Sequence, residues 1–74
     1  MLDVSHNQID SIPPEIRNLQ QLGILNVSHN QLTGLPVEIS ALEYLYALYL
    51  QNNPVSTGQK AQIKLLLPDC EIHF

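Results

Sequence analysis

A period of 23 residues constrains this chain more than any other feature. Leu2, Leu25 and Leu48 are spaced by 23, as are Val4, Val27 and Leu50, then Asn7, Asn30 and Asn53, then Ile9, Leu32 and Val55. Between the first two copies the match extends further: Ile12, Pro13, Ile16 and Leu19 return as Leu35, Pro36, Ile39 and Leu42, and VSHNQ stands in both. A unit this short cannot bury its own apolar face, so the units must stack and bury one another's. The period therefore excludes a fold with a single unrepeated centre.

Within each copy the pattern says which residues face the stack. Leu25 and Val27 lie two apart, and strand side chains alternate, so both point inward while Ile24, Asn26 and Ser28 point out. The strand is short, and Asn30 stands where the backbone must turn. A buried side-chain amide at that corner both donates to and accepts from main-chain groups that have lost their strand partners. Stacking the copies turns Asn7, Asn30 and Asn53 into an asparagine ladder. In the first copy Leu2 and Val4 alternate with Asp3 and Ser5, and Pro13-Pro14 opens a turn into EIRNLQQ, where one helical turn is expected.

The third copy keeps Leu45, Leu48, Leu50, Asn53 and Val55 and then departs, with Gly58-Gln59 where Leu-Pro would fall. Ser56 followed three residues later by Gln59 has the form of a capping box, and QKAQIKLLL runs without a breaker to Pro68, which ends the helix at Leu67. Ile63, Leu66 and Leu67 share one helix face and are expected to cover the end of the last repeat. From Cys70 to Phe74 alternation returns, with Ile72 and Phe74 inward and Glu71 and His73 outward, as in a fourth, edge strand. The expected organisation is one domain over 1–74: a partial repeat at 1–21, a complete repeat at 22–44, the start of the last repeat at 45–55, and a cap helix with edge strand at 56–74.

The formal charge is −4, and only Arg17, Lys60 and Lys64 are positive. Such a balance argues against nucleic acid and anionic membranes as partners. No apolar run approaches the roughly 20 residues of a bilayer span, and MLDVSHNQ lacks the basic and apolar regions of a signal peptide. Cys70 is the only cysteine, which excludes an internal disulfide and fits a reducing, cytoplasmic compartment. Met1 falls inside a repeat, leaving two origins open: a native start, or the C-terminal piece of a longer protein with its targeting signal upstream.

The motif Leu-x-x-Leu-x-Leu/Val-x-x-Asn, from Leu22 through Leu25 and Val27 to Asn30, resembles the leucine-rich repeat family over essentially the whole chain. The LPxxI variant at Leu35 to Ile39 is similar to the 23-residue repeats of intracellular Ras-group scaffold proteins and their bacterial counterparts. The ending, NNP followed by a helix and LLPDCEIHF, is similar to the C-terminal ends of bacterial leucine-rich repeat proteins. The resemblance implies an α/β solenoid: a short right-handed stack of about four parallel strands with a C-terminal capping helix. It also implies protein recognition by the concave strand face.

The outward strand positions fall into columns: Ile24, Ala47 and Glu71; Asp3, Asn26, Tyr49 and His73; Ser5, Ser28 and Gln51. These are the expected partner contacts. Tyr49 is central, and tyrosine supplies contact area at little rotamer cost; the plainer alternative is a solvent-facing aromatic that supports its strand neighbours. His6 and His29 share a repeat position one strand apart, but a metal site needs three or four ligands and that column continues with Asn52. Repeat duplication explains the pair. Cys70 lies between Asp69 and Glu71, so the reading is a packed thiol rather than a reactive one. Leu65 is expected on the exposed helix face beside Ala61.

Serines 5, 28, 40 and 56 lack a nucleophile context, and neither a glycine-rich phosphate loop nor metal-ligand spacing occurs. No catalytic residue, cofactor or metal is expected. The first reading is a protein-interaction module, the C-terminal part of a leucine-rich repeat scaffold binding a protein partner on its concave face. The alternatives are a purely structural capping fragment of a longer protein, or a regulatory segment of a larger signalling enzyme. Leu2 and Val4 on an uncapped first strand also lead to an expectation of self-association through its edge.

Overall fold

The computed structural model describes residues 1–74. Four short strands, β1 (Leu2–Asp3), β2 (Ile24–Asn26), β3 (Ala47–Tyr49) and β4 (Glu71–His73), form one parallel sheet in chain order. Register follows the repeat: Leu2 faces Leu25, Leu25 faces Leu48, and Leu48 faces Ile72. The hydrogen-bonded ladder continues past the strands, with Val4 N–H donating to Asn26 O, Val27 N–H to Tyr49 O and Leu50 N–H to His73 O at 2.9, 3.0 and 2.7 Å. The fold is a leucine-rich-repeat-type α/β stack, as expected.

Each parallel connection must return to the start of the next strand, and the first two do so through 3-10 helices at Pro14–Asn18 and Val37–Ala41. Proline sets the entry in both, since Pro13 and Pro36 are extended N-caps and a ring-fixed φ suits the residue that opens a helix. Exit is closed by Leu19 N–H on Ile16 O and Leu42 N–H on Ile39 O. The single turn expected over EIRNLQQ is thus a 3-10 helix shifted toward the prolines. It buries Ile16, and its successor buries Ile39.

The third connection is a ten-residue α-helix, α1 (Thr57–Leu66). Ser56 Oγ accepts the Gln59 N–H at 3.2 Å, satisfying one of the orphan donors of the first turn. The capping box is only half formed. The Gln59 carboxamide lies against Gly34 instead of returning to the Ser56 N–H. Leu67 is the C-cap, its N–H on Ile63 O at 3.0 Å, ahead of Pro68.

The core runs along the stack between sheet and return segments. Leu25, Val27, Leu32, Ile39, Leu48, Leu50 and Ile63 are all fully buried, and Leu42 and Leu67 nearly so. Ile63 and Leu67 bring α1 against the last repeat, while Leu66 is half-buried. At the other end Leu2, Val4, Ile9 and Ile12 are half-buried beside edge strand β1. No helix is long and apolar enough to cross a membrane.

Candidate interaction face

The corner asparagines hold the face in place from beneath. Asn30 Nδ2 donates to Val27 O and Ser28 O in its own repeat and to Val4 O in the preceding one, at 3.0, 3.2 and 3.0 Å. Its Oδ1 accepts the Ile9 N–H at 3.0 Å. Asn53 repeats the arrangement, donating to Leu50, Gln51 and Val27 carbonyls and accepting the Leu32 N–H. Asn7 makes only the two bonds within its own repeat, to Val4 O and Ser5 O. Asn30 and Asn53 therefore tie the ends of β2 and β3 to the repeat before each.

Just ahead of each corner asparagine, the backbone of His6, His29 and Asn52 takes φ of 57°, 56° and 60°. This left-handed region is tolerated by asparagine and histidine far better than by β-branched residues, which accounts for residue type in that column. The His6 and His29 rings stack with centroids 4.1 Å apart at 11°. Asn52 Nδ2 stands 3.2 Å from His29 Nε2. Parallel rings do not converge their nitrogens on one point; the column is a packed edge of the turn.

On the outward face the middle column runs Asp3, Asn26, Tyr49, His73 in strict register. Its first two members are tied down locally. Ser5 donates through both N–H and Oγ to Asp3 Oδ1, at 2.9 and 2.6 Å, and Ser28 does the same to Asn26 Oδ1, at 3.1 and 2.7 Å. The two bonds from Ser5 hold the Asp3 carboxyl below its ordinary range, with the charge of nearby His6 a smaller contribution in the same direction. The last two members stack: the Tyr49 and His73 rings lie 4.7 Å apart at 6°. Glu71 Oε1 lies 3.3 Å from His73 Nε2, beside the stack.

Two residues expected to contribute surface do not. Ala47 is 4% exposed and Ser28 7%. Ala47 is the smallest side chain of its column and sits in register between Ile24 and Glu71. The Ser28 hydroxyl is spent on Asn26. Ile24, Asn26, Tyr49, Gln51 and His73 are half-buried, Ser5 likewise, and Asp3 and Glu71 are exposed.

Other positions were not legible as surface. Tyr44 and Tyr46, on the approach to β3, are 62% and 59% exposed. Tyr46 does not continue the inward alternation of Leu48 and Leu50; its ring is turned out over Gly23. The signal lay in three tyrosines within six residues, interleaved with the two core leucines Leu45 and Leu48. Leu65, by contrast, stands on the exposed face of α1 as its helical spacing predicts, 82% exposed. Lys60 and Lys64 lie 5.5 and 5.7 Å from the Phe74 ring centroid, so two of the three cations gather at the helix, away from the middle column.

Ser40, Ser56 and the thiol have structural partners. Ser40 Oγ donates to Val37 O at 2.8 Å, and Ser56 caps α1. Burial pushes the Cys70 thiol pKa up, and the neighbouring Glu71 charge pushes it further. Cys70 packs at the edge of the core beside Ile72 and Phe74.

Comparison with known proteins agrees with this geometry. A leucine-rich repeat family model matches residues 1–55. No curated protein matches the chain. Among solved structures, a leucine-rich repeat protein of Leptospira interrogans is similar, with 44% identity over 97% of this chain and a TM-score of 0.96. This chain spans only 18% of that one. The family match and the observed stack together show that the chain belongs to the leucine-rich repeat family.

Proposed function

We propose that the chain serves protein recognition through the outward face of its four-stranded sheet. The observation that carries this reading is the Tyr49–His73 stack. Two ordered rings stand on the outward side, outside the apolar cluster that holds the fold together. Aromatic side chains already held in place lose little freedom on binding and offer a large contact area. The repeats add a second support: inward columns recur as Leu, Val and Asn, while the outward middle column changes at every strand. Packing dictates the first set and leaves the second free to carry specificity. A cytoplasmic setting belongs to the same proposal and rests on the single unpaired thiol.

The test is partner capture with paired variants. Tyr49→Asn and His73→Ser alter the face; Val37→Ser alters an exposed residue on the return side. A protein retained by the original chain and by Val37→Ser, but lost with both face variants, is the expected result. Equal retention by all forms would remove the face from consideration.

A second reading is favoured by α1. Ile63 and Leu67 are buried against the last repeat, as a segment closing the end of a longer stack would be. In that reading residues 45–74 serve stability alone. Grafting residues 45–74 onto an uncapped leucine-rich repeat array should then raise its denaturation midpoint, and an unchanged midpoint would dismiss it.

A further inference from the structure

We infer a second recognition surface on the flank of the stack, where the chain enters β3 and β4. It takes a basic segment of a protein partner, with one lysine or arginine side chain lying in the cleft between Glu43 and Asp69. Glu43 and Tyr44 form the turn ahead of β3, and Pro68 and Asp69 the turn ahead of β4. Glu43, Pro68 and Asp69 line one cleft of about 250 Å³, with Leu45, Leu66 and Cys70 among its apolar walls. Both carboxylate residues are exposed, whereas Leu66 and Cys70 are half-buried. The cleft is therefore apolar within and acidic at its rim.

Nothing in the chain neutralises that rim. The one ion pair joins Glu71 to His73, so neither Glu43 nor Asp69 has a cationic partner. Arg17 lies on the first 3-10 helix with its guanidinium on the Pro14 carbonyl, and Lys60 and Lys64 gather at Phe74. The end of α1 adds to the imbalance, because Leu66 and Leu67 line the cleft. There the carbonyls of Lys64, Leu65 and Leu66 receive no main-chain N–H: the Leu67 N–H goes to Ile63, and Pro68 has none to give. The C-terminal end of a helix carries partial negative charge, which favours a cation.

Charge and shape together choose the occupant. Lysine and arginine lay their alkyl stems along apolar surface and keep the charged head in water, which matches leucine and proline walls below a carboxylate rim. An acidic segment would meet repulsion from both turns. Tyr44 and Tyr46 extend the surface beside the cleft, next in sequence to Glu43 and Leu45, and both stand mostly exposed. Tyr46 is seated: its ring lies over Gly23, where an added Cβ would come 3.0 Å from Cε1. A ring resting on backbone offers contact area at little ordering cost, and its face attracts further cations of a basic segment.

The experiment selects binders to the whole chain from a random twelve-residue peptide library displayed on phage, then titrates synthetic copies of the selected peptides. Glu43→Gln combined with Asp69→Asn removes the rim charges. Asp10→Asn combined with Glu15→Gln removes the same charge from exposed residues elsewhere, and circular dichroism checks that both forms fold. Expected are lysine- or arginine-bearing peptides that the rim pair weakens about three- to tenfold, that the control pair leaves nearly unchanged, and that Tyr44→Ser also weakens. Peptides without a basic residue, peptides that both pairs weaken equally, or an empty selection would overturn the inference. Peptides lost with Tyr49→Asn but indifferent to the rim pair would overturn it as well, and leave the outward-face reading standing.

Discussion

Asn30 Nδ2 donates to the Val4 carbonyl of the preceding repeat at 3.0 Å. That one bond, with its return from Ile9 N–H to Asn30 Oδ1, makes the corner asparagine a link between repeats as well as a turn device. Asn30→Leu leaves the Ile9 N–H without its partner and removes one donor from each of three carbonyls, which keep Asn7, Asn53 and the His6 N–H, whereas Asn7→Leu orphans no N–H and removes donors from two carbonyls of its own repeat. The Asn30 change should cost about 1–3 kcal/mol, the scale of one unsatisfied buried N–H, and the Asn7 change less. Urea denaturation followed by circular dichroism measures both. Equal losses would mean that the cross-repeat bonds contribute nothing.

His29 tests the backbone of the same corner. Its φ of 56° suits asparagine, and a β-branched residue there is strained by about 1–2 kcal/mol. His29→Asn and His29→Val both remove the ring stacked on His6, so their difference isolates the backbone contribution. The valine form should unfold at lower denaturant concentration by that margin. Coincident curves would place the importance of His29 in its ring.

Asp3 supplies a pH dependence with a definite sign. Its carboxyl is held below the ordinary value by the Ser5 hydroxyl first and the Ser5 N–H second. A group depressed in the folded state contributes stability above its unfolded pKa, here near 3.8, and loses it as pH falls through the folded value. Ser5→Ala removes the hydroxyl donor and leaves the N–H. Carbon-detected NMR titration of the Asp3 carboxyl should show its midpoint move up, part of the way to the ordinary value. An unmoved midpoint would show that the hydroxyl does not set it.

Gly34 and Gln59 join the second repeat to α1. A Cβ at Gly34 would collide with the Gln59 carboxamide, the far end of a flexible side chain. Gly34→Ala alone should cost about 1 kcal/mol as that side chain is displaced, and much less in a Gln59→Ala background. A double-mutant cycle by thermal or urea unfolding reads the coupling. Additive effects would mean that the two residues do not contact in solution.

The repeat, the inward columns and the corner asparagines were legible in the sequence because each answers to one rule. Alternation puts Leu25 and Val27 inward, and a turn that breaks the ladder calls for a residue with Asn30's donors and acceptor. The C-terminal helix was legible for the same reason: Ser56 and Pro68 bound a run whose apolar residues recur at helical spacing. The surface was harder to read. Alternation placed Ala47 and Ser28 outward, yet both are buried, because each is small and lies between flanking repeats, whereas Ser5, with the same hydrogen bonds but at the edge of the stack, is only half-buried.

By itself, the sequence determined a parallel stack of 23-residue repeats, the side of each strand that faces the core, and the C-terminal helix. These follow from local spacing, which every copy repeats. Only the tertiary structure decided that Tyr49 stacks on His73, that Gln59 leaves its capping box for Gly34, and that His6, His29 and Asn52 turn through the left-handed region. Each of these choices is made between residues 23 or more positions apart, or by a backbone turn that packing imposes. Periodicity along one chain names the neighbours; contact between repeats decides what they do to one another.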